Sequence, residues 1–171
     1  VETEYDRQIL QAHIMYYLVV ASLHKCGIYR YGRLKTDARK SGRKAYGDAL
    51  RNARKLIADK QYAEAVAILD KLVEERPREP QARFLKGLAL ADAGKTDEAI
   101  AMFRGLLGEY PELPEPHNNL AFVLAAQGKL EAARSALEAA IAALPDYALA
   151  HENLGDIQLQ LAARSYREAA R

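Results

Sequence analysis

His117 and His151 stand 34 residues apart, and Cys26 lies two residues beyond His24. Histidine and cysteine are the residue types that hold zinc or activate a nucleophile, so their spacing is the first test of chemistry. A single cysteine excludes an internal disulfide and any metal site built on several thiolates. A reactive Cys26 would need a base placed by the fold, and only His24 is near, so it reads as a small buried hydrophobe. If His117 and His151 occupy equivalent places on stacked helical hairpins, they lie roughly 10 Å apart. Two ligands of one zinc each sit about 2 Å from it. No carboxylate or thiol completes a set at ligand spacing. The chain has no phosphate-binding loop, no glycine-rich dinucleotide turn, no Gly-x-Ser-x-Gly elbow and no His-Glu-x-x-His. Glu74–Glu75 and Asp97–Glu98 are adjacent acids of solvated helix faces. The expectation is no enzyme, no metal and no cofactor.

The elements that carry these residues repeat. Pro77, Pro111 and Pro145 are each 34 residues apart. Ala65, Ala99 and Ala133 share the period, as do Leu56, Leu90 and Leu124, and the large apolar set Leu69, Phe103 and Leu137. Gly94 and Gly128 continue the register, with Lys60 in the equivalent first slot. Searching for such periods comes first because a missed repeat misassigns the whole fold. Each unit reads as two amphipathic helices. Leu120 and Leu124 have helical spacing, Gly128 breaks the run, and Leu130, Ala133, Leu137 and Ala140 resume it. Gly128 suits the left-handed residue that ends a helix. Pro145 stops the second helix, because proline lacks the amide and clashes with the preceding turn. Pro80 and Pro114 stand where proline is tolerated, in the first turn of a new helix.

These columns resemble the tetratricopeptide repeat, with units at 46–79, 80–113 and 114–147. The family's small, tyrosine, alanine and proline positions fall at Gly87, Tyr62, Ala65/Ala99/Ala133 and Pro77/Pro111/Pro145. The large aromatic that usually opens each unit is replaced by Ala49, Arg83 and His117, and the chain has no tryptophan. Within the family the resemblance is to small alanine-rich bacterial members, often linked to the cell envelope. It implies an all-α fold, a right-handed α-solenoid of antiparallel helix pairs: three units plus a long C-terminal capping helix, with an extra hydrophobic N-terminal helix. A fourth unit opens at Ala148 but lacks the expected break at residue 162. Residues 148–170 therefore read as one helix with an apolar stripe through Leu154, Ile157, Leu161, Ser165/Tyr166 and Ala169, capping the last open face.

The resemblance also implies the site and its use: a protein or peptide partner held in a concave groove by the first helix of each unit. The corresponding positions are Leu50, Arg54 and Ile57, then Phe84, Leu88 and Ala91, then Asn118, Phe122 and Ala125, and finally Glu152 and Asp156. Phe84, Leu88 and Phe122 would form an apolar track, suited to a partner segment or to the chain's own N-terminal region. The family's clamp for a C-terminal carboxylate is absent, since Leu50, Arg54, Leu85, Glu115 and Asn119 stand at its positions.

Residues 1–45 follow other rules. They carry nine Lys/Arg against four Asp/Glu, whereas residues 46–171 carry sixteen against nineteen. The repeats therefore lack the basic face that nucleic acid needs. Residues 8–24 hold no formal charge and are apolar on nearly every helical face, so such a helix must be buried in protein or lipid. Acids precede the stretch, and basic residues with Tyr29 and Tyr31 follow it. That is the pattern of a membrane anchor with a cytoplasmic C-terminal side. The span is short of the ~20 residues usually needed. A helix capping the first repeat and a basic docking tail are the other readings. The expected division is 1–45, 46–147 and 148–171. The compartment stays open: charge points to the cytoplasm or a membrane, and the family resemblance admits the periplasm.

Overall fold

The computed structural model describes residues 41–170 of the chain. The apolar stretch 8–24, Cys26 and the basic cluster up to Lys40 lie outside the described residues. The chain forms two compact units, Val1–Gly47 and Asp48–Arg171. Of the first, only residues 41–47 are described, and they are helical.

Every element of the described chain is helical. Helix α1 occupies 41–58 of the described chain, so the expected junction at residue 45 falls inside it. There follow α2 (Tyr62–Glu75), α3 (Pro80–Asp92), α4 (Thr96–Glu109), α5 (Pro114–Ala126), α6 (Leu130–Ala143) and α7 (Ala148–Ala169). Pro80 and Pro114 open α3 and α5 from the first turn, where the missing amide costs no hydrogen bond. Pro77, Pro111 and Pro145 sit in the turns that separate one helix pair from the next.

Each hairpin closes by the same device. Lys60, Gly94 and Gly128 are left-handed, with φ of 61°, 78° and 73°. Their amides donate to Ile57, Ala91 and Ala125, and the next amides donate five residues back to Leu56, Leu90 and Leu124. This paired pattern satisfies the last carbonyls of the helix and reverses the chain. Lysine in that slot meets the Cβ–carbonyl crowding that glycine avoids. Lys60→Gly should therefore raise stability by about 0.5 kcal/mol, while Gly94→Ala should lower it by about 1 kcal/mol. Urea midpoints of the two variants test this, and shifts of the same sign would contradict it.

The repeat columns are the core. Ala65, Ala99 and Ala133 are fully buried, and so are Leu69, Phe103 and Leu137 one helical turn further on. Consecutive helices pack side by side from α2 to α7. Beyond neighbours, α3 touches α5 and α5 touches α7, whereas α2, α4 and α6 do not touch one another. The first helices of the pairs are thus closer together than the second ones, so the α3–α5–α7 side is the inner face. The result is an all-α solenoid.

Helix α7 covers the last pair as expected, but its stripe runs differently at the end. Ala150 and Ile157 are buried, Leu154 and Leu161 pack on the core, and Arg164 pairs with Glu131 in the first turn of α6. Tyr166, placed on the stripe by the sequence reading, is 77% exposed. Fourteen helical residues span about 21 Å and twenty-two about 33 Å, so α7 outruns α6 beyond this ion pair.

Candidate binding face

The inner face carries two adjoining hollows that share Phe122 and Asn153. One, of about 340 Å³, lies between α5 and α7 and is lined by Phe122, Ala125, Asn153, Asp156 and Ile157 among others. The second, of about 320 Å³, lies between α3 and α5, with Leu88, Ala91, Asp92 and Asn118 in its wall. Phe122 stands between them with two thirds of its surface open, at 66%. A large aromatic is seldom left so bare, and apolar side chains flank it on both sides, Leu88 and Ala91 in one hollow and Ala125 and Ile157 in the other.

Asparagine joins the two hollows. Asn118 is the one polar residue in the buried set of the described chain, 4% exposed, and its Oδ1 accepts a 2.8 Å hydrogen bond from Asn153 Nδ2. This bond ties α5 to α7 across the repeat boundary and holds both amides at the floor of the face. Asn153 reads from sequence as a surface polar group. Only the neighbouring helix reveals its partner.

Of the residues expected in the groove, Leu88, Asn118 and Phe122 come together here, with Ala91, Ala125 and Asp156. The others are placed elsewhere. Phe84 is half-buried, its ring centroid 6.1 Å from that of Phe103 and tilted by 50°, so it belongs to the rim of the core. Leu50 is buried in α1 and Arg54 is exposed, and neither lines either of these two hollows. Glu152 is exposed on α7, while Asn153 beside it faces the cleft. A helical side chain covers the turn N-terminal to its own Cα, which favours the later of two adjacent residues.

The histidines serve as latches between turns. His117 Nε2 lies 2.9 Å from the Pro111 carbonyl, and His151 Nε2 lies 2.8 Å from the Pro145 carbonyl. A carbonyl only accepts, so in both rings Nε2 carries the proton and donates. The equivalent position in the preceding unit holds Arg83, which grips Glu109 with two 2.9 Å bonds. That hydrogen bonding holds the Glu109 carboxyl below its ordinary value of 4.5. Where the family has a large aromatic, this chain uses polar ties that fasten α3, α5 and α7 to an adjacent element, while Ala49 leaves α1 without one. No group of three or more histidine, cysteine or acidic residues able to hold a metal occurs among the described residues. Nor is any described helix long and apolar enough to cross a membrane.

Solved structures share this architecture. MamA from Desulfovibrio magneticus RS-1 matches with a TM-score of 0.59 at 20% identity, over 72% of each chain. YrrB, described as a TPR protein with an unusual peptide-binding site, matches with a TM-score of 0.58 at 28% identity, over 61% of this chain. The first repeat domain of Spaghetti (RPAP3), bound to the HSP90 peptide SRMEEVD, matches with a TM-score of 0.63 at 19% identity, over 68% of this chain and 93% of that one. The chain spans 65% of a MamA double mutant and 54% of YrrB. No curated protein matches it. Two family models, both described as tetratricopeptide repeat, match residues 50–114 and 90–157, and the chain belongs to the tetratricopeptide repeat family.

Proposed function

We propose that the chain is an interaction scaffold that holds a segment of another protein against the α3–α5–α7 face. The observation that carries this reading is Phe122, exposed at the junction of two hollows and flanked by Leu88, Ala91 and Ala125. Aromatic anchors in such settings dominate interface energetics, and the surrounding small residues let a partner backbone approach. The peptide-bound RPAP3 domain and the peptide-binding site of YrrB support the general mode, since the family is a protein-interaction fold. The carboxylate clamp is missing here: Leu85 is buried, and an acid, Glu115, stands where the clamp has a base. A partner therefore engages through side chains rather than through a free C-terminus. The uncharged stretch 8–24 supports a second arrangement, in which the same scaffold is tethered to a membrane, and the binding face is the same in both.

The test is capture with the full-length chain, followed by mass spectrometry and affinity measurement on the protein recovered. Phe122→Ala should weaken binding by about 2 kcal/mol, near thirtyfold. Glu138→Ala, on the outer side of α6, should leave it unchanged. Equal losses from the two variants would place the partner off the concave face.

A further inference from the structure

Charge on the concave face is one-sided. Asp92 lines the hollow between α3 and α5, and Asp156 the one between α5 and α7, whereas no lysine or arginine lines either. Elsewhere the chain neutralises many of its own acids: Lys86 reaches Asp70 at 2.6 Å, Arg83 holds Glu109, and Arg134 approaches Glu138. Asp92 and Asp156 are exposed and have no such cation among the described residues. Asn118 adds a donor. Its Oδ1 is taken by Asn153, but its own Nδ2 has no partner in the described chain, although the residue is 4% exposed and lines a hollow. That amide is not sealed from solvent, so an acceptor on an occupant of the hollow can reach it.

Resting on the concave face as the binding surface, we propose that its occupant is a cationic amphipathic segment of another protein. An apolar side chain of the segment packs on Phe122 and Leu88, and lysine or arginine side chains lie over Asp92 and Asp156. One of its main-chain carbonyls accepts from Asn118 Nδ2. Acidic tails are repelled by the same pair of carboxylates, so the face discriminates by charge as well as by shape.

Labelled peptides of about 14 residues, four helical turns, provide the probe. All share one leucine–phenylalanine face, and their polar faces carry Lys/Arg, Gln or Glu. Titrated by fluorescence anisotropy into the full-length chain, the cationic peptide should bind about tenfold tighter than the neutral one, the sum expected of two exposed pairs at about 0.7 kcal/mol each. The acidic peptide should bind most weakly. Asp92→Asn with Asp156→Asn should erase the preference, as should high salt. Phe122→Ser should abolish binding of all three. Equal affinities for the three peptides, still lost with Phe122→Ser, would overturn the charge inference and leave the concave-face reading standing. Binding of none, or binding indifferent to Phe122→Ser, would overturn that reading and the inference with it. Self-association of the chain that Phe122→Ser removes would assign the face to a second copy and overturn the proposal.

Discussion

Gly87→Ala should destabilise the chain by about 2 kcal/mol, although alanine is the better helix former. Gly87 lies within α3, and a Cβ there would stand 2.6 Å from Phe103 Cε1 and 2.9 Å from Cζ. The Phe103 ring is fully buried, so relieving the clash means shifting the ring and the core side chains packed on it. The repeat explains the pairing. Positions equivalent to Gly87 hold Ala53 and Ala121, and positions equivalent to Phe103 hold Leu69 and Leu137. The middle unit has therefore traded a methyl group on one helix for a larger ring on the other. Phe103→Leu alone should also destabilise, by leaving a void that its neighbours only partly fill. Gly87→Ala combined with Phe103→Leu rebuilds the alanine–leucine pair of the flanking units and should recover most of the loss. Urea titrations of the three variants measure the coupling, expected at 1 kcal/mol or more for residues in direct contact. Additive losses would show that ring and glycine do not share one space.

That trade was half legible in the sequence. The period of 34 exposed both columns, because proline, glycine and alanine are each chosen for backbone reasons that hold in every unit. Lys60 could be assigned to the glycine slot by register alone, and it adopts the same left-handed turn. Which way a side chain leans is set by its neighbours, and there register runs out. Phe84 and Phe122 hold positions four apart in the first helices of successive units, counted from each unit's start, yet one ring turns to Phe103 and the other stands in solvent. Asn118 and Asn153 pair because a third helix brings them together, a contact between residues 35 apart that no local pattern encodes. The concave face was therefore predictable as a set of helices and not as a set of atoms. Asp156 was already expected there, but Asp92 and the unpaired amide of Asn118 emerge only when α3, α5 and α7 are laid side by side.

Ile157→Asp should unfold the C-terminal part of the solenoid, lowering stability by several kcal/mol, on the order of 3–5. Ile157 is 5% exposed and packs into the cluster built by α5 and α6 with Ala121, Leu124 and Leu137. No described cation stands beside it to pair with a carboxylate, since the cationic contact of α7 is Arg164 at the far end, with Glu131. Leu159→Asp is the control. It lies two residues away on the same helix, so propensity and chain position are matched, but Leu159 is 70% exposed. Its replacement should change stability by no more than about 0.5 kcal/mol. In a stacked array each unit is stabilised by its neighbours, so loss of α7 uncovers the α5–α6 pair and should melt it before α2–α4. Hydrogen exchange followed by mass spectrometry should then show protection lost from 114–169 while α3 and α4 keep theirs. Equal effects of the two aspartates would mean that α7 is held by its turn and ion pair rather than by its buried stripe. An unchanged Ile157→Asp variant would mean that the last pair of helices is stable without any cover.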